Sequence, residues 1–129
     1  MSDINYSTEQ TCSLYTSPYH FVGTKPTAVI FGKERVDVKT WREVAGVILS
    51  RCNEQRHDEL MYLRNKVSGK VRVIFSDSSD GMRRPLKIAD EMYLETHYGS
   101  QTLMYILVDL ILKYTGFDYS DINITITRK

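Results

Sequence analysis

An α+β fold with a mostly antiparallel sheet and two main helices is what this chain predicts, on three observations. Short apolar or alternating stretches of strand character outnumber helical ones. Two of them are joined by a tight local turn. Two helices carry clear start and stop signals. The predicted order is ββα(α)β(β)βαβ, within 129 residues that suffice for one domain with its own core.

Residues 1–22 are rich in Ser, Thr and Tyr and show no sustained period. They read as an N-terminal extension, with Tyr15, Tyr19 and Phe21 expected to pack on a single compact domain over 23–129. Residues 28–31 and 35–38 read as strands joined through Gly32, Lys33 and Glu34. In the second, Val36 and Val38 alternate with Arg35 and Asp37, leaving one face wet. Thr40 followed three residues later by Glu43 is a capping box. Trp41, Val44, Ala45, Ile48, Leu49 and Cys52 then form a helical stripe that faces a core.

A second, more polar helical piece is expected over 58–66, anchored by Leu60, Met61 and Leu63 and stopped at Ser68 and Gly69. Residues 71–75 and 91–96 read as strands, with a polar turn over 76–81. Ser100 is the expected cap of the strongest helix, 101–114, which ends at Gly116. The final strand alternates: Ile122, Ile124 and Ile126 inward, Asn123, Thr125 and Thr127 outward.

The helix over 103–114 is apolar around nearly its whole circumference, through Leu103, Met104, Ile106, Leu107, Val108, Leu110, Ile111 and Leu112. Such a helix needs cover on every side. Either the N-terminal extension or a second subunit supplies it, so a homo-oligomer is expected.

Charge is distributed unevenly. Residues 64–87 hold seven basic residues (Arg64, Lys66, Lys70, Arg72, Arg83, Arg84, Lys87) and two acidic ones (Asp77, Asp80), a net +5. With +1 overall, the remainder carries −4. Asymmetry of this kind marks a side that meets an anion. A pI near 7.8 argues against a protein that coats DNA with its whole surface. Two cysteines, Cys12 and Cys52, make neither a disulfide scaffold nor a metal-ligand spacing, and Cys52 lies on the apolar stripe as a buried thiol. The N-terminus lacks the charged and apolar regions of a signal peptide, and the apolar run 103–112 is broken by Asp109 and too short to span a bilayer. A cytoplasmic protein with no membrane contact is expected.

The leading site is an anion-binding face. Gly99 and Ser100 open a helix whose first N–H groups suit phosphate. Arg83 and Arg84 reach it if their loop closes over it, and Arg72, Lys87 and His97 complete the set. Tyr93, Tyr98 and Tyr119 offer rings for base stacking. A different face groups Glu91, Tyr93, Glu95 and His97 on one side of a strand; a solvated sheet surface explains it, while Glu95 with His97 gives a metal-dependent nuclease reading. Asp77, Asp80 and Gly81 lack the spacing of a calcium loop. His20 and the run His57, Asp58, Glu59 lack partners in the pattern. Gly-rich phosphate loops, nucleophile elbows, CxxC pairs and HExxH are absent from the sequence. No catalytic residue, metal or cofactor is expected.

Two stretches together resemble a known domain: Lys25-Pro26 through Trp41, and Phe75-Ser76 through Ser100 with Arg84-Pro85-Leu86-Lys87-Ile88 and Tyr93-Leu94-Glu95-Thr96. This arrangement is similar to an uncharacterised bacterial and phage domain, common in Firmicutes, found alone or at the end of restriction- and DNA-processing-associated proteins. It covers 24–129. Met92 and His97 stand where smaller or more polar residues are expected. The resemblance implies a setting of phage–host conflict and no catalytic residues. The function expected is therefore a non-enzymatic module that binds a phosphate-bearing partner, nucleic acid or nucleotide. A host-protein interaction or inhibitor domain is the alternative.

Overall fold

The central strand pair follows directly from local chemistry. Gly32 takes φ +62°, which lets β2 (Thr24–Phe31) return as β3 (Glu34–Asp37), the predicted hairpin. The computed structural model describes residues 9–68 and 73–128. Among them two four-stranded antiparallel sheets form, β1-β8-β2-β3 and β4-β5-β7-β6. The other strands are β1 (Gln10–Ser13), β4 (Val67–Ser68), β5 (Val73–Ser76), β6 (Pro85–Ala89), β7 (Met92–Glu95) and β8 (Ile122–Arg128). The α+β class is as the sequence predicts.

In the first sheet, register aligns Cys12, Ile124, Val29 and Val36 across four strands. That apolar row faces the core, where Val29 and Ile124 are fully buried. The second sheet repeats the device with Val67, Phe75, Leu94 and Leu86. Helix α1 (Trp41–Leu63) packs against β2 of one sheet and β6 of the other. Thr40 accepts the Glu43 N–H at 3.1 Å, and the Glu43 carboxylate accepts the Lys39 N–H at 2.6 Å, closing the predicted cap. Val44, Ala45, Ile48, Leu49 and Cys52 are all buried, as their stripe requires. Gly46 lets β6 approach; a Cβ there would stand 3.4 Å from Leu86 Cδ2.

Several expectations change. The two expected helical pieces are both present, end to end within Trp41–Leu63 and separated by a non-helical residue at Arg56 (φ −133°, ψ 44°), but the second ends at Leu63, short of Lys66, before Asn65 at φ +65°. The stop expected at Gly69 and the first residues of the strand expected over 71–75 lie outside the described residues. Thr125 is on the outer face, as its register requires, yet is buried there. It sits mid-sheet between Thr11 and Ala28, and Glu9 spans that outer face to reach the Thr27 hydroxyl at 2.9 Å and Arg35 at 3.8 Å.

Of the extension read over 1–22, the described residues 9–22 belong to the domain. Gln10–Ser13 pairs along β8, and Pro18–Phe21 forms a 3₁₀ turn that buries Phe21 against Trp41, ring centroids 5.1 Å apart. The same segment packs on the apolar helix. That helix starts as α2 (Ser100–Tyr105) and continues as a π-helical stretch (Ile106–Ile111) and a 3₁₀ turn (Leu112–Tyr114). Leu103, Met104, Ile106, Leu107, Val108, Ile111 and Leu112 are buried within one chain. The cover that the sequence sought from a second subunit is thus largely intramolecular. Gly116 at φ +77° ends the element, as predicted. No described helix is long and apolar enough to cross a membrane.

Candidate functional site

The basic loop owes its shape to one buried carboxylate. Glu95, the last residue of β7, is 0% exposed. Its two oxygens accept the backbone N–H of Arg83 (2.8 and 3.0 Å) and of Arg84 (3.1 and 3.2 Å). Two successive N–H groups around an anion form a nest, here filled from within the chain. The next residue completes the clamp: the Thr96 N–H and hydroxyl both donate to the Arg84 carbonyl, at 3.0 and 2.7 Å. Charge-assisted bonds to backbone are the strong kind. The main chain at 83–84 is therefore fixed, while both arginine side chains remain exposed.

This corrects the strand face read from the sequence. Glu95 lies on the outer face with Tyr93, as period two requires, yet the Arg83–Arg84 segment lies across its carboxylate and removes it from water. Glu91 is in the β6–β7 turn at φ +55°, and the exposed His97 lies two residues beyond the strand. The nuclease reading loses its geometry, because Glu95 is spent on the backbone. Among the described residues no group of three or more His, Cys, Asp and Glu could hold a metal ion.

The expected anion site is partly assembled. An open cleft of about 300 Å³ is lined by Arg84, Thr96, His97, Tyr98 and Gly99. Arg84 thus shares a space with His97 and the helix start, as the loop-closure idea requires; Arg83 lies outside that lining. Neither guanidinium has an ion pair or hydrogen bond among the described residues, and the same is true of the His97 ring. Lys87 points its charge elsewhere, into a 3.3 Å ion pair with Asp90. Arg72 lies outside the described residues.

Ser100 is a further correction. Gly99 is the N-cap, and Ser100 is the first helical residue. Its hydroxyl donates to the Phe21 carbonyl at 3.0 Å, so it ties the helix to the N-terminal segment. The first helical bond returns from the Leu103 N–H to the Gly99 carbonyl. At Gly99 an added Cβ would meet nothing within 4 Å, which leaves the backbone open to an approaching group.

Sequence reasoning missed Glu95 and Thr96 as the residues that position the arginines. A Glu ending a strand gives no local sign that a loop twelve residues earlier will lie across it. No protein-family model, curated protein or solved structure matches the chain.

Proposed function

We propose that this chain is a binding module for a phosphate-bearing partner, nucleic acid or nucleotide, engaged through Arg83, Arg84, His97 and the helix start at Gly99 and Ser100. The observation that carries this reading is the Glu95 clamp. It spends a buried carboxylate on fixing the backbone beneath two exposed arginines that have no other partner among the described residues. Held main chain lowers the ordering cost of binding, and guanidinium groups suit the geometry of phosphate oxygens. Half-buried Tyr98 lines the cleft with Arg84 and His97, and Tyr93 precedes Glu95 by two on the same strand face, so rings for a stacked base lie along this surface. The resemblance of residues 24–129 to a bacterial and phage domain tied to DNA processing points to the same class of partner. Catalysis has no part in this reading.

The test is fluorescence anisotropy with a labelled single-stranded oligonucleotide and, separately, a labelled nucleoside triphosphate. Two arginine–phosphate contacts predict about a tenfold loss of affinity between roughly 50 and 200 mM salt. The double variant Arg83→Ala/Arg84→Ala should remove most of the binding. Salt-independent association, or full binding by the double variant, would sink the proposal.

A second reading, an interaction domain acting through self-association, is favoured by one surface. Leu63, Val67, Leu110 and Tyr114, together with Lys66, line a mainly apolar recess of about 320 Å³, and Tyr62 and Tyr114 are 69% and 63% exposed. Light scattering across a concentration series decides it: a monomer at every concentration removes this reading.

A further inference from the structure

We propose that residues 10–22 act as a clasp coupled to the arginine face: docking of this segment sets one wall of the Arg84–His97 cleft, so docking and binding of the phosphate-bearing partner favour each other. The inference rests on the function proposed for that cleft and adds its regulation. The two walls are held from different directions. Arg84 is fixed by Glu95 and Thr96 within the second sheet. The facing wall, His97 to Gly99, runs into Ser100, and Ser100 is tied to the N-terminal segment by its hydroxyl.

The knot is the Phe21 carbonyl. It accepts the Ser100 hydroxyl at 3.0 Å and the Thr24 hydroxyl at 2.7 Å. One oxygen thus joins the clasp, the start of β2 and the residue that follows Gly99. The Phe21 ring is 1% exposed and lies against Trp41. Releasing the clasp therefore lifts a ring from the core and frees Ser100 in the same motion.

The clasp has the marks of a unit that opens before the rest of the domain. Of residues 10–22, Leu14 and Phe21 alone are buried. β1 is a four-residue edge strand that pairs with β8 alone among the described residues. A cleft of about 300 Å³ lies between residues 14–18 and the helix residues Met104 and Val108, so packing beneath the segment is incomplete. Gly23, at φ +75°, is a pivot at its far end, with nothing within 4 Å of where a Cβ would stand. Segments with few buried side chains open at a fraction of the cost of global unfolding. A ligand that spans the cleft needs both walls in place and so binds the docked form better. By linkage, it then holds the clasp shut.

Hydrogen exchange on the full chain, with and without a labelled single-stranded oligonucleotide, tests the coupling. At saturation the oligonucleotide should slow exchange at Leu14, His20 and Val22, outside the cleft lining, by about fivefold or more. Ser100→Ala removes the link without touching the core, and unchanged protection at Val29 shows that it folds. It should weaken the oligonucleotide about fivefold and abolish the slowing in the clasp. Ser100→Thr keeps the hydroxyl and should restore both. Binding that leaves clasp exchange unchanged, or slowing that persists undiminished in Ser100→Ala, overturns the coupling while the proposed function stands. Failure of the wild-type chain to bind the oligonucleotide overturns both.

Discussion

The two sheets share one helix yet are held together by different chemistry. In the first, β8 is seven residues long and pairs with a neighbour on each side, so apolar rows and backbone ladders accumulate along it. In the second, no strand exceeds five residues among the described residues, and the basic loop hangs from its edge. Short ladders cannot fix a loop alone. The Glu95 carboxylate does so instead, with Thr96 behind it. One sheet is thus stabilised by apolar area, the other by apolar area plus one internal anion. The anion also prepares the arginine side chains for an external partner.

That contrast can be broken most severely in the first sheet. Ile124→Ala removes a fully buried side chain from the central strand and should cost about 2–5 kcal/mol, read by chemical denaturation. The loss should be global, with amides of both sheets exchanging faster together.

Glu95→Ala should come next, at about 1–3 kcal/mol for loss of the acceptor that the Arg83 and Arg84 N–H groups share. Its signature is local. Hydrogen exchange at Arg83 and Arg84 should accelerate while β8 stays protected. Uniform acceleration would show that Glu95 is a general core residue and not a loop clamp.

An alkaline titration probes the helix common to both sheets. Burial pushes the Cys52 thiol from its usual 9.0 up to about 11, opposed in part by its contact with Thr115 at 3.8 Å. The folded state therefore favours the protonated thiol. Its contribution is complete below pH 9 and is lost as pH rises from 9 toward 11. Melting temperature should fall over that window, and the fall should shrink in Cys52→Ala. An equal fall in the variant would assign the effect to other groups.

Thr40→Ala removes the cap of α1 and should cost about 1 kcal/mol, with both sheets affected alike because both pack on that helix. The smallest effect belongs to Arg35→Ala. Its partners Glu9 and Asp37 are exposed, and solvent-exposed ion pairs stabilise little, so melting temperature should barely move. A loss as large as that of Ile124→Ala would mean that the outer face of the first sheet is held by charge after all.

By itself the sequence determined what depends on neighbours in the chain. The Thr40–Glu43 cap, the stripe from Val44 to Cys52, the hairpin turn at Gly32 and the end at Gly116 are local devices of period and φ, and each lies where its pattern requires. Tertiary structure decided what depends on residues far apart. Glu95 reads as a solvated strand residue until the 83–84 segment lies over it. Ser100 reads as a cap until the carbonyl of Phe21 takes its hydroxyl. The apolar helix reads as half-uncovered until residues 10–21 close on it. The π-helical stretch over 106–111 has no signature in the letters ILVDLI. The physical reason is common to all four. Backbone propensity is settled within a few residues, whereas the partner of a polar or apolar group is chosen only when distant segments compete to bury it.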